Sequence, residues 1–83
     1  MKIYTTKWCP DYRRAKYFLE QHGISFEEID IEQTEGAERF VLAVNDGKRG
    51  VPTFELDGRT FYCSPYDPRK LAQELGVKSN GTK

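Results

Sequence analysis

Asp57-Gly58 stands between two short runs rich in aromatic and β-branched residues, Thr53-Phe54-Glu55-Leu56 and Arg59-Thr60-Phe61-Tyr62. A two-residue connection of this kind needs positive φ at both centres, which Asp and Gly tolerate, so the segment predicts an antiparallel hairpin. Every other element must be arranged around that pair. Lys2-Ile3-Tyr4-Thr5 reads as a strand ending at the polar Thr6-Lys7, after which Cys9-Pro10 opens a helix with proline at its favoured first position. Ala15, Phe18, Leu19 and His22 share one face of that helix, and Gly23 stops it. Residues 24–31 are rich in Ile and Phe, with Glu27-Glu28 in water, and predict a strand near a sheet edge. Ala37, Phe40, Val41 and Val44 repeat the helical spacing before the turn residues Asn45-Asp46-Gly47. Asp67-Pro68 supplies a cap and first-turn proline for a last helix, with Leu71, Ala72 and Leu75 on one face and Gly76 as its stop.

The order is therefore β-α-β-α-β-β-α. The first crossover makes a parallel pair and the hairpin an antiparallel one, which predicts an α/β fold with a four-stranded mixed sheet flanked by three helices. With 83 residues there is room for one domain, which chains of this size complete by burying about 60% of their unfolded surface. We read residues 1–77 as that domain and 78–83, which lack an apolar anchor, as a flexible tail. Thirteen basic and thirteen acidic residues cancel and are interleaved, so no broad field exists to hold nucleic acid or an anionic membrane. The N-terminus carries no apolar run of signal or spanning length. Two distant cysteines are too few for a secreted disulfide scaffold and fit a reducing compartment. A cytoplasmic monomer is expected.

Cys9 lies where the first strand hands over to the first helix, so unpaired amide N–H groups and the positive end of the dipole face its sulfur. Both favour thiolate. Lys7 and Arg13 add cationic potential, while Asp11 opposes it. A thiolate-prone sulfur gains some nucleophilicity and, more usefully, becomes a better leaving group, which favours turnover through a mixed disulfide. The competing reading is a small buried cysteine that merely caps the helix. His22, the only histidine, suits a helix end better than a base role, and one His with two distant Cys makes no zinc set. No metal or bound cofactor is expected.

Thr6-Lys7-Trp8-Cys9-Pro10-Asp11-Tyr12, Val51-Pro52-Thr53-Phe54 and the Asp57-Gly58 hairpin together resemble bacterial glutaredoxins and glutaredoxin-like thiol reductases over roughly residues 1–77. The resemblance implies the thioredoxin fold and a thiol-disulfide oxidoreductase with Cys9 as nucleophile. It implies a cis bond before Pro52, with the Val51 backbone beside the nucleophile to pair with an extended substrate. The family's second cysteine is replaced by Tyr12, so Cys9 would work alone: it takes the glutathionyl group from a glutathione-protein mixed disulfide and is regenerated by a second small thiol. Tyr12 either presents its hydroxyl and ring edge to that thiol or packs as a helix aromatic. By the same resemblance Lys7 and Arg49 face the carboxylate of bound glutathione, the alternative being solvated surface cations. The family's double glycine after the fourth strand gives way to Tyr62-Cys63-Ser64-Pro65, so Ser64 joins the groove and another low-molecular-weight thiol can replace glutathione as co-substrate. Cys63 either stands in for the missing resolving thiol or is unreactive, and a bridge would need Cα atoms within about 7 Å.

Two other functions stay open. Some one-cysteine relatives pair through glutathione to carry an iron-sulfur cluster, but they carry Cys-Gly-Phe-Ser and an insertion that this chain lacks. A thioredoxin-fold binding module without turnover is the third reading. Expected partners are a small thiol and thiolated or disulfide-containing proteins.

Overall fold

The computed structural model describes residues 1–63 and 65–77, so the expected tail at 78–83 and Ser64 lie outside the described residues. The elements run β1 (Lys2–Thr5), α1 (Pro10–Gln21), β2 (Glu27–Asp30), α2 (Ala37–Val44), β3 (Thr53–Leu56), β4 (Arg59–Tyr62) and α3 (Pro68–Leu75), in the predicted order. They make a four-stranded sheet ordered β2-β1-β3-β4. β1 pairs parallel with β2, Ile3 opposite Glu28, and antiparallel with β3, Ile3 opposite Phe54. The β3-β4 hairpin turns at Asp57 and Gly58 with φ of 52° and 83°, the left-handed pair that the dipeptide predicts.

β2 is an edge strand, as its wet glutamates require, but it is shorter than residues 24–31. The reason is its partner: β1 offers four residues, so regular pairing covers Glu27–Asp30 and continues only as single bonds from Glu27 N–H to Met1 O and from Ile31 N–H to Thr5 O. Ile24 and Phe26 still pack on the core from outside the strand.

Alternation along β1 divides the interior. Ile3 points to the face covered by α1 and α3, where it joins Ala15, Phe18, Leu19, Phe54, Phe61 and Leu71. Tyr4 points to the opposite face, where α2 brings Ala37 and Val41. Across the hairpin Phe54 and Phe61 stack with centroids 4.9 Å apart. Such pairs contribute about 0.5–1.5 kcal/mol beyond their burial. In α2 the expected apolar face is narrower than its spacing suggests: Phe40 lies on the Tyr4 ring, centroids 4.7 Å apart, while Val44 faces solvent. His22 caps the end of α1 and lies on Phe18, 4.3 Å between ring centroids.

Gly50 sits where the chain enters β3, against the face of Tyr62. A Cβ there would come within 2.7 Å of the Tyr62 ring, closer than side chains tolerate. Gly50→Ala should therefore destabilise the fold by about 1–3 kcal/mol, as overpacking does. In a Tyr62→Ala background the same change should cost little, which a double-mutant cycle of denaturant unfolding would read.

Tyr4 gives a second expectation. Its hydroxyl donates to Glu55 Oε1 at 3.0 Å, and burial, then Glu55, pushes its pKa up to about 12. The folded chain holds this proton where an unfolded tyrosine has lost it, so the contribution is whole below pH 10 and disappears as pH rises to about 12. Unfolding measured from pH 9 to 12 should show stability falling, with about 2 kcal/mol of the fall removed in Tyr4→Phe.

Candidate active site

The site begins with the end of β1. Strand pairing stops at Thr5, the chain turns through Thr6–Trp8, and the Cys9 N–H returns to Thr6 O at 3.4 Å. Cys9 is the N-cap of α1, with extended backbone (φ −81°, ψ 111°), and Pro10 opens the helix because its missing N–H would have had no partner there. The sulfur acts as the cap acceptor: the Tyr12 N–H donates to Cys9 Sγ at 3.3 Å. A serine or aspartate oxygen does this in most helices. Here a thiol does it, which places the first turn of α1 as a donor to any negative charge on sulfur.

The opposite wall comes from the segment entering β3. The Val51–Pro52 peptide bond is cis, and the Cys9 thiol donates to Val51 O at 3.6 Å. Both neighbours of Val51 are tied down. Gly50 O accepts from the Thr53 hydroxyl, which itself accepts from Asn45 Nδ2 at 2.9 Å, and both side chains are buried. Pro52 O accepts from Cys63 N–H at 3.2 Å. Val51 packs against the apolar clusters on both faces of the sheet.

Cys9 is only 8% exposed, whereas Trp8 beside it is 78% exposed. Lys7 is exposed and has no hydrogen-bond or ion-pair partner among the described residues. Tyr12 is buried in the core and its hydroxyl donates to Glu28 Oε1 at 2.6 Å. Burial, then that bond, raises its phenol well above the ordinary range. Arg49 is exposed but engaged, with Nη2 3.1 Å from Glu32 Oε2 and Nε 3.2 Å from Glu38 Oε2.

Cys63 is buried at 1% exposure, in the same apolar cluster as Cys9, and both cysteines are free thiols. Its sulfur accepts the Asp67 N–H at 3.3 Å and donates to Asp67 O at 3.6 Å. Burial raises its pKa, and the Asp67 backbone bond offsets this in part. Asp67 in turn caps α3, its carboxylate accepting Arg69 N–H at 3.0 Å and Lys70 N–H at 3.4 Å. Ser64, expected in the groove, lies outside the described residues.

The structure gives several residues partners that the sequence did not indicate. Asp11 accepts the Tyr66 N–H at 3.0 Å, tying the first turn of α1 to the segment after β4 across 55 residues. Glu28, Glu32 and Glu38 matter through partners distant in sequence, as do Asn45 and Thr53 through Gly50. No local pattern marks any of them, since each is an ordinary polar residue in an ordinary place. Among the described residues no three His, Cys, Asp or Glu side chains gather to hold a metal ion. No helix among them is long and apolar enough to cross a membrane.

A thiol at a helix start, facing a carbonyl from a cis-proline turn, agrees with the comparisons to known proteins. The structure is similar to a solved thioredoxin-like protein, with a TM-score of 0.77 at 26% identity, over 93% of this chain and 95% of that one. A Mycobacterium tuberculosis protein named for the glutaredoxins is 44% identical over 61 residues, 72% of this chain and 73% of the relative. Mycoredoxin 1 of Corynebacterium glutamicum is 37% identical over 71 residues, 86% of this chain and 87% of the relative. The glutaredoxin family model matches residues 1–61, which include Cys9, the Val51–Pro52 turn and the hairpin. With the thioredoxin fold and that match together, the chain belongs to the glutaredoxin family of thiol-disulfide oxidoreductases.

Proposed function

We propose that this protein reduces mixed disulfides between proteins and a small thiol by a one-cysteine route through Cys9. The observation that carries this reading is the Cys9 sulfur itself, capping α1 through the Tyr12 N–H and facing the Val51 carbonyl. Cys9 thiolate attacks the small-thiol sulfur of the mixed disulfide. A bond forms between the two sulfurs, the protein–sulfur bond breaks, and the protein leaves as a thiolate that takes up a proton. A second small thiolate then attacks the small-thiol sulfur held on Cys9, which departs as thiolate. The products are a free protein thiol and a small-thiol disulfide, and Cys9 is ready again. The donors at the start of α1 favour the leaving sulfur in the second step.

The other residues take supporting roles in this reading. Val51 and Pro52 shape the groove, the Val51 backbone pairing with an extended substrate once the Cys9 thiol no longer donates to its carbonyl, and Lys7 supplies an exposed cation with no partner among the described residues. Arg49 is a groove cation already held by carboxylates. Tyr12 fills the place of a second active-site thiol with a side chain that cannot attack, so dithiol reduction of protein disulfides is not expected. Cys63 serves the α3 cap rather than the reaction, because burial disfavours its thiolate. The co-substrate is glutathione or mycothiol, the thiols used in the family. The working place of such a protein is a reducing cytoplasm, as a monomer with no bound cofactor.

Turnover of a glutathionylated protein substrate should fall to background in Cys9→Ser and stay within about twofold of wild type in Cys63→Ser, since a group outside the reaction changes the barrier by under about 0.5 kcal/mol. Equal activity with and without the Cys9 thiol would overturn the reading. Mass spectrometry after exposure to glutathione disulfide should find one small-thiol adduct on Cys9, and an intramolecular loss of two hydrogens would return Cys63 to the resolving role.

A further inference from the structure

The Thr53 hydroxyl has a single proton to give, and it goes to Gly50 O. Its oxygen therefore accepts from its other neighbour, the Asn45 Nδ2 group at 2.9 Å, and both side chains are buried, at 0% and 8% exposure. A carbonyl only accepts, so the polarity of the relay is fixed at Gly50, and its far end needs a donor, which asparagine supplies. The relay sets one peptide group. In a trans peptide the N–H points away from the C=O, so holding Gly50 O on Thr53 directs the Val51 N–H away from Thr53. That N–H has no acceptor among the described residues. The next polar group along the chain, the Val51 carbonyl, is the one 3.6 Å from Cys9 Sγ.

We infer that Thr53 and Asn45 are positioning residues: by setting the Gly50–Val51 peptide they present the Val51 N–H as a donor on the residue whose carbonyl faces Cys9, and so favour exchange with disulfides that carry an amide backbone beside the sulfur over those that carry none. The inference rests on the mixed-disulfide reading above. Both side chains act through the peptide and not on the sulfur.

The test measures, by intact-mass spectrometry, how fast Cys9 takes up the small thiol from glutathione disulfide, which has peptide amides, and from 2-hydroxyethyl disulfide, which has none. In each case Cys9 thiolate attacks one sulfur, a new S–S bond forms as the old one breaks, and the other half leaves as thiolate. Thr53→Val keeps the shape and loses the hydroxyl. In it the ratio of the glutathione disulfide rate to the 2-hydroxyethyl disulfide rate should fall roughly three- to tenfold, the scale of one hydrogen bond. Thr53→Ser keeps the hydroxyl and should hold the ratio within about twofold of wild type. Asn45→Asp, which leaves β3 untouched, should lower the ratio as well, because a carboxylate there draws the Thr53 proton from Gly50 O. A general loosening of the fold would slow both reactions alike and leave the ratio where it was. An equal ratio in wild type, Thr53→Val and Asn45→Asp, or a ratio that falls as far in Thr53→Ser, overturns the positioning role while leaving the mixed-disulfide reading intact. A wild-type Cys9 that reacts with neither disulfide overturns that reading and the inference with it.

Discussion

The 3.6 Å approach between Cys9 Sγ and the Val51 carbonyl joins two parts of the chain that are 42 residues apart. One side of it is the exit of β1 into α1; the other is the entry of the chain into β3. Both lie at the same end of the sheet because β1 and β3 are antiparallel neighbours, so the end of one strand is beside the beginning of the other. The antiparallel pairing of β1 with β3 is thus what makes the site.

Keeping that wall in place takes several unremarkable groups. Asn45 holds Thr53, Thr53 holds Gly50, and the Tyr62 ring lies where a Gly50 side chain would be. Buried polar groups must find partners, and here the partners are the backbone carbonyls flanking Val51. The consequence is a turn fixed from the α2 side and from the β4 side at once. Opposite it, Asp11 draws the segment after β4 against the first turn of α1. Cys63 completes this frame through Pro52 on one side and Asp67 on the other, a structural employment for a thiol that burial makes reluctant to ionise.

Charge at the site is local. The chain is neutral overall, yet Lys7 has no partner among the described residues while Arg49 is held by two glutamates, so the two cations that resemblance to the family places together differ in what they can offer an incoming anion. The thiol-disulfide chemistry of the family needs a sulfur held in place, which the start of α1 and the facing Val51 carbonyl provide here. Fold and reaction can therefore be shared across relatives whose co-substrates differ.

Local rules were sufficient where a residue acts on its own neighbours. Asp57-Gly58 determined the hairpin and Pro10 the start of α1. Asp67-Pro68 and Gly76 bounded α3, and Cys9 was legible as the residue at a helix start, because turn geometry and helix ends depend on a few consecutive residues. The length of β2 was not legible, since it depends on how many residues its partner strand offers, and neither was the exposure of Val44. Tyr12, Arg49 and Cys63 show the same limit: only the tertiary structure turns the Tyr12 hydroxyl to Glu28, closes two carboxylates on Arg49 and buries Cys63 beside Asp67. Sequence by itself determined the elements, their order and the place of Cys9 at a helix start. Which side chains stay free to meet a substrate was decided in three dimensions, because a polar group's availability depends on partners brought to it from distant parts of the chain.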